Sequence, residues 1–306
     1  MAETILMQSP HLVRGRQHFM NTVCVSSQLG CRRSCGHCAS GHLPFQRDLT
    51  SSEILGQVAA FAVDTEIHQI VFQGMGEPLD NPAVPDATSY LHTSYDQLAC
   101  SCDGGEEHCI AHTASPPLTC VATAGSVRGI ETLLDRAPDT YLMLSMMPQY
   151  DRPESLEEIL ACTDEFVRHT GRPVVLSYTM VDGLDTTEHA EHLFRYIEPR
   201  LATHPVYLIQ YHENMEGDSA ACCSSTVRSS SIDAIRGFMA HLDAKGCTVG
   251  FGQYCQFPTS LTQHHLERYP GHWAADARLW STSTAAAAEP LASAAGAEAH
   301  ASGPPA

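Results

Sequence analysis

Basic residues are scarce in this 306-residue sequence, which contains 17 Lys and Arg against 35 Asp and Glu and carries a formal net charge of −18. A surface this negative repels phosphate backbones, so extensive nucleic-acid binding is not expected unless basic residues cluster locally. The eighteen histidines offset this charge only below neutral pH.

Long apolar runs are also missing, and with them the pattern of a membrane-spanning helix, which needs about 20 apolar residues. The N-terminus lacks the basic start and apolar stretch of a secretory signal. We therefore expect a cytoplasmic protein without a membrane partner. With 43% hydrophobic residues, the chain is long enough to form one large domain with a full core.

A disulfide framework is not expected either, because thirteen cysteines are an odd number in a chain without an export signal. Metal or redox chemistry is the stronger interpretation of so many thiols. The stretch that supports it is "NTVCVSSQLGCRRSCGHCASG", residues 21–41, which holds four cysteines.

Three of these cysteines, Cys31, Cys35 and Cys38, have the spacing C-x3-C-x2-C. Three thiolates on one short loop can face a single iron–sulfur cluster. Three protein ligands rather than four leave one iron of a [4Fe–4S] cluster open for a small chelating ligand. The alternative is a tetrahedral zinc site completed by His37 or His42.

Apolar segments typical of strands alternate with helical segments about six times along the chain. This order predicts a parallel sheet with helices outside it, as in a partial (β/α)6 TIM-like barrel. In such barrels the chemistry lies at the C-terminal ends of the strands, and the cysteine loop follows the first strand. The predicted strands are 22–27, 68–74, 118–125, 140–147, 173–181 and 205–212, with a further strand expected within 247–257.

Three parts are expected along the chain: an N-terminal extension at 1–20, the barrel at 21–257, and a C-terminal extension at 258–306. The last part is rich in Ala, Ser and Pro and is expected to be disordered from about residue 274. A long polar insertion at 80–117 interrupts the barrel. It carries residues for which a second metal site stays an open alternative, namely Cys100, Cys102, Cys109, His108 and His112.

The cysteine spacing after the first strand resembles the radical S-adenosylmethionine (SAM) superfamily. The segments "TVCVSSQLGCRRSCGHCASG", "IVFQGMGEPLDNP" and "YTMVDGLDTTEHAEHL" resemble, more narrowly, the radical SAM adenine methylases of ribosomal RNA and their antibiotic-resistance branch. The match runs from about residue 20 to about residue 257, without the N-terminal accessory domain of that family. The resemblance implies a [4Fe–4S] cluster on Cys31, Cys35 and Cys38, whose open iron chelates SAM and whose electron cleaves it to a 5′-deoxyadenosyl radical.

The resemblance also implies which residues contact SAM. Glu77 is the expected acceptor for the SAM amino group, because an ammonium beside a carboxylate forms a charge-assisted hydrogen bond. Ser145 ends the fourth predicted strand, and His212 stands where the family has an asparagine that touches SAM. The segment expected to meet the amino group comprises Gly74, Met75, Gly76, Glu77 and Pro78.

Two further cysteines are implied as catalytic groups. In the family, one cysteine is methylated and carries the carbon, and the other resolves the covalent adduct. Cys24 occupies the position seven residues before the cluster motif, and Cys255 is the expected partner, with Cys247 in reserve. A thiol suits this chemistry because it can be methylated, attack and leave.

The net charge and the missing accessory domain favour methylation of an unreactive carbon on a small-molecule, nucleotide or peptide substrate. Three alternatives stay open. The first is a radical rearrangement, cyclisation or oxidation without methyl transfer, which the altered C-terminal cysteine segment suggests. The second is an RNA adenine methylase, and the third is a non-enzymatic zinc or iron–sulfur module. An external electron donor of the flavodoxin or ferredoxin type is the expected protein partner.

Overall fold

The computed structural model describes residues 2–13, 16–33, 35–99, 116–148, 150, 152–211 and 227–252. Its main sheet has eight strands in the order β1-β2-β5-β6-β7-β8-β9-β10. Every neighbouring pair from β2 onwards is parallel. The strands of this sheet are β1 (Ile5–Val13), β2 (Arg16–Cys24), β5 (Gln69–Phe72), β6 (Leu118–Thr123), β7 (Tyr141–Ser145), β8 (Val174–Met180), β9 (Val206–Gln210) and β10 (Val249–Gly252). Two short strands, β3 (Gln28–Leu29) and β4 (Arg47–Asp48), pair with each other in a separate antiparallel sheet.

Helices connect the parallel strands, as the alternating sequence pattern predicts. They are α1 (Ser51–Ala62), α2 (Val84–Thr93), α3 (Tyr95–Ala99), α4 (Val127–Arg136), α5 (Leu156–Thr170), α6 (Thr187–Ile197) and α7 (Ile232–Ala244). Capping boxes begin α1 at Thr50 and α5 at Ser155, and Gly171 ends α5 with φ 67°. None of the described helices is long and apolar enough to cross a membrane.

The sheet buries both faces, and each face has its own apolar cluster. The larger cluster joins the strands to the helices outside them. The smaller one consists of strand residues and forms the inner face of a curled half-barrel, which confirms the predicted partial TIM-like barrel. Its buried members are Cys24, Val71, Leu118, Cys120, Tyr141, Met143, Val175, Tyr207 and Ile209.

The N-terminal segment differs from the expectation, because β1 pairs antiparallel with β2 along nine residues. The first barrel strand therefore begins at Arg16 rather than at residue 22. The sequence did not predict this hairpin because Pro10 lies within β1, and proline is usually absent from strands. Strand β1 lies at the edge of the sheet, where a missing backbone donor is tolerated.

The first part of the insertion at 80–117 is helical rather than a polar loop. Val84, Ala87 and Leu91 of α2 are buried against the main core, at a spacing that places them on one helix face. The described residues do not include Cys100, Cys102, Cys109, His108 and His112, nor His212, Cys255 and the expected disordered tail.

Candidate active site at the strand ends

The three motif cysteines line one cavity at the C-terminal end of the sheet. Their loop is held by its own backbone: the Cys38 amide donates to the Cys35 carbonyl at 3.1 Å, and the Cys35 amide donates to the Arg33 carbonyl at 2.9 Å. The Arg33 amide also donates to the Cys31 sulfur at 3.4 Å. The loop therefore directs all three thiols towards the same space.

Burial raises the pKa of the Cys31 thiol to about 11 and that of the Cys35 thiol to about 12, with a smaller contribution from the neighbouring cysteines. These thiols are protonated near neutral pH, and a metal has to displace the protons to bind them. Soft sulfur donors on one side of a cavity fit an iron–sulfur cluster. Among the described residues, no three His, Cys, Asp or Glu side chains are grouped so that they could hold a single metal ion.

The segment 74–78 packs against the residues that lead into the cysteine loop. The Met75 carbonyl accepts from the Ser27 amide at 2.8 Å, and the Met75 amide donates to Ser26 Oγ at 3.0 Å. Gly76 has φ 104°, and a Cβ there would meet the Gln28 side chain at 2.6 Å. A glycine is therefore required where the two segments approach each other.

Glu77 is buried and lines the same cavity as the cysteines. Its Oε1 accepts from Thr123 Oγ1 at 2.5 Å and from the Leu79 amide at 3.1 Å, and its Oε2 accepts from the Ala124 amide at 2.8 Å. Burial raises the pKa of this carboxyl, although the three hydrogen bonds act in the opposite direction. These hydrogen bonds hold the Glu77 carboxyl group in place in the lining that it shares with the cysteines.

Other predicted site residues take different positions around this cavity. Gly74, Gly76 and Ser145 belong to its lining. Met75 holds the segment in place, with its sulfur accepting from the Gly30 amide at 3.0 Å. Pro78 is buried and starts a short 3-10 helix, Pro78–Asp80.

Cys24 is buried at the end of β2, on the inner face of the half-barrel. It lies in one row with Val71 and Cys120, one layer below Ala122, which lines the cavity. Cys247, the reserve partner, lies in the core between the sheet and the helices, on the other face. The structure thus separates Cys247 from Cys24, and Cys255 lies outside the described residues.

Two arginines that sequence reasoning missed support the cavity. Arg33 forms a two-pronged ion pair with Asp80, at 2.9 and 2.7 Å, which ties the cysteine loop to the segment after Glu77. Arg152 donates from Nε to the Ala124 carbonyl at 2.8 Å and from one terminal nitrogen to the carbonyls of Ser145 and Met147 at 2.7 and 3.1 Å. Arg33 stands beside another arginine and Arg152 beside a proline, and neither local sequence carries a signal of such a role.

Arg152 also belongs to a chain of contacts that includes Tyr150 and His37 from the lining of the cavity. Its guanidinium lies 5.3 Å from the centre of the Tyr150 ring, and the Tyr150 hydroxyl is 3.3 Å from His37 Nε2 in the cysteine loop. Ala124 connects Arg152 to Glu77: its carbonyl accepts from Arg152, and its amide donates to Glu77. The β7–α5 connection thereby links the cysteine loop to the carboxylate.

Replacing Arg152 with alanine is expected to lower the free energy of unfolding by about 2–3 kcal/mol, since hydrogen bonds from a charged group to three carbonyls are lost in a half-buried place. Urea unfolding of the full chain measures this change. Arg168→Ala is the matched control, because its pair with Glu165 is exposed on α5 and should contribute much less to stability. Equal losses in the two variants would contradict the role assigned to Arg152.

Comparison with solved structures agrees with this architecture. A radical SAM methyltransferase from Sphaerobacter thermophilus aligns over 82% of this chain and 69% of its own, with a TM-score of 0.62 and 26% sequence identity. No protein-family model matches the chain. The fold and the cysteine loop above its strand ends define a radical SAM barrel.

Curated relatives place the chain more narrowly. The ribosomal RNA large subunit methyltransferase Cfr of Lachnoclostridium phytofermentans is 31% identical over 62% of this chain. The probable dual-specificity RNA methyltransferases RlmN of Enterococcus faecalis and Chlorobium phaeovibrioides are 31% and 33% identical over 71% and 74% of it.

The predicted resemblance is therefore confirmed: the chain is a member of the radical SAM superfamily, and within it is similar to the Cfr and RlmN methyltransferases. The chain spans 53% to 60% of the length of these three relatives. Their names favour the RNA alternative of the sequence analysis over the small-molecule substrate that was its main expectation.

Proposed function

We propose that this chain is a radical SAM methyltransferase that methylates a carbon of an adenine in RNA. The observation that carries the proposal is the single cavity shared by Cys31, Cys35, Cys38 and Glu77 at the strand ends. The cavity offers three soft ligands and a buried carboxyl group held by hydrogen bonds, as a cluster and the amino group of SAM chelated to it require. The RNA substrate is carried over from the names of the relatives.

The cysteine loop would hold a [4Fe–4S] cluster, which when bound supplies the electron that breaks a carbon–sulfur bond of SAM. Glu77 would accept hydrogen bonds from the SAM ammonium. Because Thr123 and Ala124 already hold its carboxylate, Glu77 does not reorganise when the cofactor binds. Ser145, which lines the same cavity, would also contribute to the SAM site.

Cys24 would take part in methyl transfer as a thiol nucleophile. Its place on the inner face, one layer beneath the cavity lining, brings it near the ligands of the proposed cofactor. Cys255 is proposed as its partner. An external flavodoxin or ferredoxin would deliver the electron.

A second candidate function is methylation of a small molecule or peptide. The observation that favours it is the formal charge of −18, which disfavours a long contact with phosphate groups. The two candidates share the SAM site and differ only in the substrate.

One experiment separates the two substrates. The full chain is reconstituted anaerobically with iron and sulfide and incubated with methyl-labelled SAM, dithionite and ribosomal RNA, and the nucleosides are analysed by mass spectrometry. We expect labelled methyladenosine together with 5′-deoxyadenosine and S-adenosylhomocysteine. The formation of 5′-deoxyadenosine without a methylated nucleoside would reject RNA adenine as the substrate.

Replacing Cys24 with alanine is expected to stop methyl transfer while SAM cleavage to 5′-deoxyadenosine continues, because the thiol that handles the methyl group is removed and the cluster ligands stay. Quantifying both products in one reaction tests this. Cys162→Ala is the control, since that thiol lies on α5 and donates to the Val127 carbonyl. Methylation at the normal rate by Cys24→Ala would rule out the proposed route.

A further inference from the structure

Most of the arginine side chains that the structure describes have a carboxylate partner. Among the twelve arginine side chains that the structure describes, the eight that form ion pairs are Arg32, Arg33, Arg47, Arg136, Arg168, Arg172, Arg200 and Arg236. The four without one are Arg128, Arg152, Arg195 and Arg228. Two of these four, Arg152 and Arg195, line the same cavity.

This second cavity lies between the β7–α5 connection and α6. Its floor is apolar, with Met146 and Tyr178 buried there. Its walls carry two arginines, two histidines and a tyrosine against a single carboxylate. These residues are Arg152, Arg195, His189, His192, Tyr196 and Glu188.

The two kinds of wall residue suit different parts of a nucleotide. Arg195 is exposed on α6. Arg152 donates from Nε and from one terminal nitrogen, Nη2, to backbone carbonyls, while its other terminal nitrogen, Nη1, forms no hydrogen bond within the described residues. Such guanidinium groups pair well with phosphate oxygens. The rings of His192 and Tyr196 lie edge to face at 5.5 Å. A base can stack on the face of an aromatic ring.

The cavity adjoins the candidate active site. Arg152 contributes to its wall and also binds the Ser145 carbonyl, and Ser145 lines the active-site cavity. Tyr150, which lies under the Arg152 guanidinium, lines the active-site cavity too. A strand bound along α6 can therefore continue over the β7–α5 connection to the strand ends.

We propose that this cavity binds a single-stranded RNA segment next to the reacting adenine, with Arg195 and Arg152 on its phosphates and His192 and Tyr196 against a base. The inference rests on the proposed RNA substrate. It also answers the objection from net charge, because basic and aromatic groups cluster here although the chain as a whole is acidic.

The test measures RNA binding rather than turnover. A fluorescently labelled single-stranded RNA is titrated with the reconstituted full chain, and the anisotropy is followed at several salt concentrations. Arg195→Ala is expected to weaken binding and to lower the slope of log affinity against log salt by about one, as the loss of one phosphate contact does. Arg195→Glu should weaken binding by about tenfold or more, and Glu188→Gln should tighten it.

Arg128→Ala is the matched control, since Arg128 is also exposed and without an ion pair but lies on α4, outside the cavity. It should bind RNA as the unaltered chain does. Equal weakening by Arg128→Ala, or unchanged affinity and salt slope in Arg195→Ala, overturns the proposal. If the second result occurs while RNA is still methylated, only this inference fails. If the unaltered chain neither binds nor methylates RNA, both this inference and the proposed RNA substrate are rejected. The assignment as a radical SAM enzyme can then still be tested by SAM cleavage.

Discussion

Replacing Cys35 with alanine is expected to abolish retention of iron and sulfide after reconstitution and to reduce SAM cleavage to background. Cys35 is buried in the loop that directs three thiols into one cavity. Two remaining thiols would leave a second iron of a [4Fe–4S] cluster without a protein ligand. Iron and sulfide assays, the visible absorption spectrum and the yield of 5′-deoxyadenosine measure the loss.

Cys247→Ala provides the matched control for this prediction. Cys247 is equally buried, but in the core between the sheet and the helices. The Cys247→Ala substitution should lower the free energy of unfolding by about 1 kcal/mol and leave the iron content unchanged. Full iron retention and SAM cleavage by Cys35→Ala would refute the cluster assignment, whereas a loss of circular dichroism would mark a failure to fold.

Replacing Glu77 with glutamine is expected to weaken SAM binding by about 30- to 150-fold, since a hydrogen bond to a charged partner is worth about 2–3 kcal/mol. The glutamine side chain would also place an NH2 group where one Glu77 oxygen now accepts a hydrogen bond from Thr123 and Leu79, or the other from Ala124. Two donors would then face each other without a hydrogen bond between them. Equilibrium dialysis of the reconstituted protein with SAM measures the dissociation constant. Glu157→Gln, on the exposed first turn of α5, should leave it unchanged.

The buried carboxyl also determines the direction of a pH effect on SAM affinity. Burial raises the pKa of Glu77 above its ordinary value of 4.5. A protonated carboxyl cannot pair with an ammonium, so SAM should bind more weakly as the pH falls through the raised pKa. The Glu77→Gln variant should not show this dependence, and an equal pH response in both proteins would exclude Glu77 as its source.

Several elements could be located from the sequence because their signals are local. The predicted strand at 118–125 is observed as Leu118–Thr123, and the predicted strand at 140–147 as Tyr141–Ser145. Capping boxes at Thr50 and Ser155 begin helices where Ser or Thr precedes Glu by three residues. The segment Ile5–Val13 was missed because its proline is compatible only with an edge strand, and edge position depends on the whole sheet.

By itself, the sequence determined the alternation of strands and helices, the three-cysteine loop after the first strand and the superfamily. Each of these depends on the spacing of neighbouring residues along the chain. Only the tertiary structure decided which distant groups meet: Arg152 at the Ala124 carbonyl 28 residues away, Arg33 at Asp80 47 residues away, and Arg152 with Arg195 in one cavity. The physical reason is that such contacts follow from the order and curvature of the whole sheet, which no local pattern specifies.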